Sequence, residues 1–477
     1  MKSEHGHTLA ILVRERGTEP FISDATRTYT YEQFFSAALE CAEVLVSQKL
    51  TKGDTVCLVV PNAIETLVLY MGALMAGLRI MLLDPEKGSE ERTAILDQCE
   101  YVRAVTVPSI PLARSFRLPP LEFEKHHVSK IATALESIDD DAVFVITFTS
   151  GSTGVPKGVM HSFRNLCKTA DAFRAEFDFS EKDTFYHHLP MTYMAGVLNS
   201  FILPLISGCR VVVGPRFSVR EAPHFWELPM REKVTVLWTV PTVLSLLTKL
   251  DRGSESKSYA RQVSLTVCVG TAPLNKIVRD EFESAYGVPL FESYGLSETL
   301  FVATQTPRRF SPHGSVGVLL PGARITFDAD ELMIDVPWIF RGYMLGKRQE
   351  SPLSPFPSGD LGHLRDGILA ITGRKKDIII RGGINISPRK LEEFISERLK
   401  GDVVVMGFPH DVLGEKIVCF YTTPLSPDEK SALVNDIGEK LGAQYSVDEF
   451  SHCDVMSRNT NEKIDKLALA ATYDNAR

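Results

Sequence analysis

Four hydroxyl residues, three glycines and a lysine fall within Thr149-Ser150-Gly151-Ser152-Thr153-Gly154-Val155-Pro156-Lys157-Gly158. Glycine lets a backbone approach a bulky anion and reach positive φ. Hydroxyls and free N–H groups donate to phosphate oxygens, and Lys157 adds a point charge. That chemistry is a phosphate cradle, although an exposed polar turn would share the composition. The apolar run from Ala142 to Phe148 reads as a buried strand delivering its end into the loop, where α/β folds place ligands. No Gly-Lys-Ser/Thr triplet follows at the required spacing, so this is not a Walker loop.

Further along, Val269-Gly270-Thr271-Ala272-Pro273-Leu274 ends a strand in small residues that leave room for a flat ring; a plain strand-to-helix turn would look the same. Glu292-Ser293-Tyr294-Gly295-Leu296-Ser297-Glu298-Thr299 places a stacking aromatic, a hydroxyl and a carboxylate on one short segment. Mg²⁺, a hard ion, prefers such oxygen ligands. Ser358-Gly359-Asp360-Leu361-Gly362 offers an acceptor-only carboxylate able to take both hydroxyls of a ribose. Gly373-Arg374-Lys375-Lys376-Asp377 follows it, then Gly382-Gly383-Ile384-Asn385-Ile386-Ser387-Pro388, a glycine turn before a helix at Arg389. Pro190-Met191-Thr192-Tyr193-Met194-Ala195-Gly196 and Arg458-Asn459-Thr460-Asn461-Glu462-Lys463-Ile464-Asp465-Lys466 complete the set.

In this order the segments resemble the motifs of the adenylate-forming superfamily: acyl- and aryl-CoA synthetases, peptide-synthetase adenylation domains and luciferases. The resemblance covers nearly the whole chain. It implies that Thr149, Ser150, Gly151, Ser152, Thr153, Gly154 and Lys157 surround the ATP phosphates. Gly270, Thr271 and Ala272 would line the adenine pocket. Glu292, Ser293, Tyr294, Gly295 and Ser297 would complete the nucleotide site, with Tyr294 stacked on adenine and Ser297 at the α-phosphate. Glu298 would hold Mg²⁺, and Asp360 with Arg374 would form the ribose pair. Tyr193, Met194, Gly196 and Trp238 would form the gate and acyl pocket. Lys376 falls at the hinge position, and Gly382 and Gly383 fall in the loop past which a pantetheine arm reaches the site. Lys463 would be the catalytic lysine of adenylation, acting with Glu298, Ser297 and Lys157.

The chain departs from the pattern in places. Ser297 stands where Thr is usual, which keeps the hydroxyl. Glu462 replaces the usual Gly before the lysine, and the usual preceding Pro is absent. Peptide-synthetase domains carry an Asp after the gate aromatic; here Met194, Ala195 and Gly196 follow Tyr193. An ammonium buried there would lack a partner, which argues against an α-amino acid substrate. His187 and His188 are read as structural, since neighbours on a strand point to opposite faces.

The elements that must position these residues alternate. Thr30 and Gln33 fit a capping box opening a helix through about Val46. Thr55 to Val60 reads as a strand, Asn62 with Glu65 starts a helix that Gly77 ends, and Arg79 to Leu83 is a strand. Gly196 to Ile206 reads as helix, Arg210 to Val213 and Val234 to Val240 as strands, and Pro241 to Leu250 as helix. Such alternation implies parallel sheets covered on both faces. The expected fold is α/β: a large N-terminal domain, residues 1–376, of stacked mixed α/β sheets with a small β-rich subdomain over about 311–376, then a small mobile α+β lid, residues 377–477. Within the lid, Val403 to Met406 and Ile417 to Thr422 read as strands and Pro427 to Leu441 as a helix.

The chain has 477 residues, a net charge of −8 and eight scattered cysteines without a CxxC pair. Buried free thiols are expected rather than disulfides or a metal site. The charge disfavours nucleic-acid binding. The longest apolar runs are too short for a ~20-residue membrane span, and no apolar signal region follows the polar start, so the expectation is cytoplasmic.

The implied reaction is a two-step ligation. A small carboxylic acid reacts with MgATP to give an acyl-adenylate and pyrophosphate, and a thiol then takes the acyl group. Coenzyme A is the default acceptor and the phosphopantetheine of an acyl-carrier protein the alternative; no Asp-Ser-Leu-type attachment segment lies in the final residues. A non-catalytic adenylate-binding scaffold and a luciferase-like oxygenase complete the readings.

Overall fold

The computed structural model describes residues 3–98, 101–106, 114–149, 157–309, 311–345, 348–458 and 464–475. Three sheets of 13, 8 and 5 strands organise these residues. In the largest, Leu290–Leu296 is a seam. It pairs in parallel with Thr266–Val269 on one edge and antiparallel with Leu300–Thr304 on the other. Parallel strands Thr266–Val269, Val236–Thr239, Thr184–His187 and Arg210–Val213 extend one way, and antiparallel strands through Phe356–Arg365 extend the other. The parallel half matches the strand–helix alternation of the sequence, and the antiparallel half is the expected β-rich stretch.

Each face of the parallel half has its own core. Phe185, Val236, Trp238 and Cys268 pack on one side. Tyr186, Leu237, Val267 and Val269 pack on the other. In the eight-stranded sheet, Val143–Thr149 pairs in parallel with Arg79–Leu82 and antiparallel with Lys157–Ser162. The five-stranded sheet is built only from strands between Ile379 and His452, with apolar clusters drawn from its own residues, such as Ile386, Leu391, Ile417 and Ile437. Gly382 and Gly383, with φ of 56° and 80°, form the two-residue turn between Ile379–Arg381 and Ile384–Ile386. Two successive positive φ values are what such a hairpin turn demands.

Local rules explain many boundaries. Thr30 and Gln33 form the reciprocal capping box of the helix Tyr31–Ser47, and Ser426 and Glu429 form that of Pro427–Lys440. Asn62 is a correction. The helix starts at Ile64 with Ala63 at its cap, because the Asn62 amide is taken by tertiary partners: Nδ2 donates to the Leu189 carbonyl at 2.8 Å and Oδ1 accepts from Met191 N–H at 3.0 Å. The helix expected over Gly196 to Ile206 is a π-helix over Ala195–Ile202, followed by α-helix at Leu203–Ile206. Strands are trimmed to Arg79–Leu82 and Val236–Thr239, and the strand expected over Val403 to Met406 runs on to His410. Among the described residues no helix is long and apolar enough to cross a membrane, and the described cysteines are free, nearly all buried.

Candidate active site

Thr149 and Lys157 face each other in register as the last and first residues of an antiparallel pair. Ser150, Gly151, Ser152, Thr153 and Gly154 lie between them, outside the described residues. The Lys157 ammonium lies 5.2 Å from the centre of the Tyr343 ring, and Tyr343 belongs to the strand beside Lys157–Ser162. The Tyr343 hydroxyl donates to Glu298 Oε1 at 2.8 Å. Burial, then the Glu298 charge, pushes the phenol pKa up, so it stays a donor. One aromatic ring therefore connects the candidate phosphate lysine to the candidate metal carboxylate.

Ser297 and Glu298 occupy the turn joining the two central antiparallel strands. Its backbone is held from outside. His161 Nε2–H donates to the Ser297 carbonyl at 2.6 Å, Phe340 N–H to the Glu298 carbonyl at 2.9 Å, and Trp338 Nε1–H to the Thr299 carbonyl at 2.9 Å. Burial lowers the His161 pKa to about 4, so the imidazole is neutral and the carbonyl fixes its proton on Nε2. A side chain at Gly295 would begin 1.9 Å from the Leu300 carbonyl oxygen, so only glycine fits.

At the nucleoside end, Tyr294 donates to Asp360 Oδ2 at 2.8 Å and Arg374 Nε donates to Oδ1 at 2.8 Å. Asp360 and Arg374 are register partners on adjacent strands. Burial, then the Asp360 charge, raises the Tyr294 pKa. Each carboxylate oxygen keeps a lone pair for a ribose hydroxyl. Ser293 bonds the Thr304 hydroxyl at 3.0 Å. Thr271 takes φ of 70°, a strained choice for a β-branched residue, just past the strand that ends at Val269; Ala272 follows it. Glu292 is buried beneath this loop, accepting from Leu274 N–H at 3.3 Å and pairing with Arg279 at 3.5 Å. Its described partners are all protein groups that hold the loop; burial raises its pKa and Arg279 opposes the rise.

At the candidate acyl pocket, a side chain at Gly196 would begin 2.2 Å from the Pro190 carbonyl oxygen, which locks the π-helix onto the preceding loop. Tyr193 and Met194 are partly exposed at that helix's start. Trp238 is buried between Phe173 and Phe301, with ring centres 4.8 and 5.0 Å away. His188 Nε2 is 3.0 Å from the Trp238 carbonyl.

Lys376 lies in the short turn Lys375–Asp377, exposed. No described contact joins Lys376, Gly382 or Gly383 to the groups around Glu298. Lys463 lies outside the described residues. Arg458 and Ile464 form an isolated antiparallel bridge, and Arg458 pairs with Asp402 at 2.7 Å. Lys466 pairs with Asp377 at 3.1 Å.

Among the described residues no group of three or more His, Cys, Asp or Glu forms a ready-made metal cage. That suits Mg²⁺, which binds through one or two carboxylates plus substrate phosphates. Glu298, with one oxygen accepting from Tyr343 and no hydrogen bond to the other among the described residues, fits that donor set.

Sequence reasoning missed Tyr343 and His161. Tyr343 sits in a stretch read only as β-rich, and His161 in a strand interior; neither carries a local signal.

The model of the family described as AMP-binding enzyme matches residues 12–344. The 2-succinylbenzoate–CoA ligase of Bacillus subtilis is 27% identical over 476 residues, covering 92% of this chain and 92% of that protein. The long-chain-fatty-acid–CoA ligase FadD13 of Mycobacterium tuberculosis is 25% identical over 502 residues, covering 97% and 98%. The ATP-bound crystal structure of MatB from Rhodopseudomonas palustris superposes with a TM-score of 0.85 at 24% identity, covering 99% of both chains.

Proposed function

The chain belongs to the AMP-binding enzyme family, and from that premise we propose that it is an AMP-forming acid–thiol ligase that makes an acyl-CoA from a small carboxylic acid, ATP and coenzyme A. The observation that carries this reading is the pair of linked contacts along one strand and its turn: Tyr294–Asp360–Arg374 at one end and Glu298–Tyr343–Lys157 at the other. A ribose-accepting carboxylate and a cation with a metal-binding carboxylate are thereby spaced along a single rigid segment. The CoA-ligase names of both relatives support the thiol acceptor.

In the first step a carboxylate oxygen of the acid attacks the α-phosphorus and the bond to the β-phosphate oxygen breaks, releasing pyrophosphate. Lys157 offsets charge on the phosphates, and Ser297 donates to an α-phosphate oxygen. Glu298 would hold Mg²⁺, whose positive charge neutralises phosphate oxygens when bound. Tyr343 orients Glu298, and His161 fixes the turn that carries it. Preorganised charges of this kind are often the largest catalytic term. Asp360 and Arg374 hold the ribose, Gly270, Thr271 and Ala272 border the base, and Lys463 orients the attacking carboxylate. In the second step the thiol sulfur attacks the acyl carbon, AMP leaves, and the thiol proton is lost. The lid, residues 377–477, turns about Lys376 between the steps, exchanging Lys463 for the Gly382–Gly383 turn, because one site serves two reactions.

The test is ATP-dependent pyrophosphate release across a panel of acids, with and without coenzyme A. Release with one acid class, stimulated by coenzyme A and accompanied by an acyl-CoA product, is the expected result. Release that only a holo-carrier protein stimulates would overturn the acceptor. ATP binding without release for any acid would overturn the ligase reading.

A further inference from the structure

Two neighbouring side chains beneath the π-helix are buried without a well-aligned hydrogen bond at their ring nitrogens. Trp238 is 1% exposed and its Nε1 has no hydrogen-bond partner among the described residues; His187 is 0% exposed, and its ring nitrogens form no well-aligned hydrogen bond there, meeting only the backbone around Gly196. They share a face of the sheet. His187 alternates with Tyr186 and so lies on the side of Phe185. The Tyr186–Leu237 register sets Trp238 beside it on the adjacent strand. The π-helix Ala195–Ile202 covers that face, with Val197, Leu198 and Phe201 in the same core, and the His187 ring lies against the backbone of Gly196.

The Trp238 indole edge also borders Gly270. A side chain at Gly270 would begin 3.9 Å from Nε1 and 3.5 Å from the Ser293 carbonyl oxygen, so one carbon atom fits there in ordinary contact with both. Gly270 begins the loop assigned above to the adenine pocket, and Trp238 is among the residues assigned above to the acyl pocket. An indole N–H can only donate, and a buried donor without an acceptor is a standing cost that a ligand atom removes. π-helical turns concentrate at functional sites.

Charge narrows the ligand. The buried cationic side chains among the described residues are Arg279 and Lys416. Arg279 is committed to Gln305 at 2.8 Å and Glu292, Lys416 to Glu449 at 2.8 Å, and neither lies on this face. Burial holds His187 neutral, its pKa lowered to about 3. A second carboxylate or a sulfonate would be buried here without a counter-charge.

We propose that the acid carries, away from the carboxylate that is activated, a neutral hydrogen-bonding oxygen, a hydroxyl or keto group, received by Trp238 Nε1 and His187. This deepens the ligase reading and rests on it. A site with buried donors rejects an analogue that lacks the acceptor far more strongly than an apolar pocket rejects a small change in size.

The experiment compares kcat/KM for pyrophosphate release with acids of matched length: unsubstituted alkyl, hydroxy or keto, and dicarboxylic. A preference of at least ~10-fold for the hydroxy or keto acid over both others is expected. In Trp238→Phe, which keeps a ring but deletes the donor, the preference over the alkyl acid falls to within about twofold. An alkyl acid or a diacid used best by the wild-type chain overturns the inference and leaves the ligase reading standing, whether or not the variant folds. A preference that survives both Trp238→Phe and His187→Phe overturns the assignment to these residues. Absence of release with every acid overturns the ligase reading and this inference with it.

Discussion

At Asp360 both carboxylate oxygens already accept from the protein, Oδ2 from Tyr294 and Oδ1 from Arg374, each at 2.8 Å. At Trp238, on a strand of the same sheet, the indole N–H meets no acceptor among the described residues. The two ends of the site thus divide the work of organisation differently. The groups proposed to meet the nucleotide are each oriented by a protein partner. Asp360 is held by two donors, Glu298 by Tyr343, and the Ser297 carbonyl by His161, whose other ring nitrogen has no described partner. If Trp238 receives the acid as proposed, its N–H is completed by the substrate, and specificity there resides in what the ligand brings.

The largest expected effect tests whether that preorganisation extends to the C-terminal segment. Lys463→Ala should reduce adenylation about 100- to 1000-fold, the scale for removing one preorganised charge-stabilising donor. It should leave thioester formation from supplied acyl-adenylate nearly unchanged. Equal loss in both half-reactions would end the division of labour between Lys463 and the Gly382–Gly383 turn. Next comes Tyr343→Phe, which keeps the ring over Lys157 but deletes the hydrogen bond to Glu298. A fall of about 5- to 10-fold in adenylation kcat is expected, with a higher Mg²⁺ requirement. An unchanged Mg²⁺ titration would mean that Glu298 is oriented by something other than this hydroxyl.

A pH experiment reaches both ends at once. Burial lowers His161 to about 4, His187 to about 3 and His188 to about 4 from the usual 6.5. Between those values the unfolded chain binds protons that the folded chain does not. Stability should therefore be flat above pH of about 6.5 and fall as the pH drops toward about 4. Denaturant unfolding of His161→Gln should show a shallower fall, by up to one proton. A slope identical to wild type would show that His161 charges within the fold. The smallest effect belongs to Thr271→Gly. Removing a β-branched residue from φ of 70° should raise stability by about 0.5 kcal/mol, the relief of strain partly offset by unfolded-state entropy. A drop in melting temperature would show that the Thr271 side chain holds more than it strains.

Much of the nucleotide end was legible in the sequence because its requirements are local. Glycine, hydroxyl and charge crowded together mark a place where a backbone can approach an anion, and the segment from Glu292 to Thr299 reads as one unit. Tyr343 was not legible, since it reaches Glu298 only after its strand pairs with Val159 across a long stretch of chain. Asn62 misled because a good capping residue found better partners in Leu189 and Met191. A period of 3.6 marked the helix after Gly196 but does not distinguish the wider π turn that forms there. Glu292 lies within the strongest motif, yet its described bonds go to Leu274 and Arg279, which no spacing rule connects to it.

The seam strand Leu290–Leu296 has a consequence for how such a chain can be altered. It is bonded on both edges, in parallel on one and antiparallel on the other. A single residue inserted within it would turn every following side chain to the opposite face. Tyr294 would then leave Asp360, and the turn carrying Glu298 would lose its alignment with Tyr343 in the same event. The strand is therefore intolerant of any change of length. The π-helix is bound to the sheet beneath it by apolar packing and carries no ladder. Recombination aimed at new acids has room to work there, and its crossover points belong outside the seam.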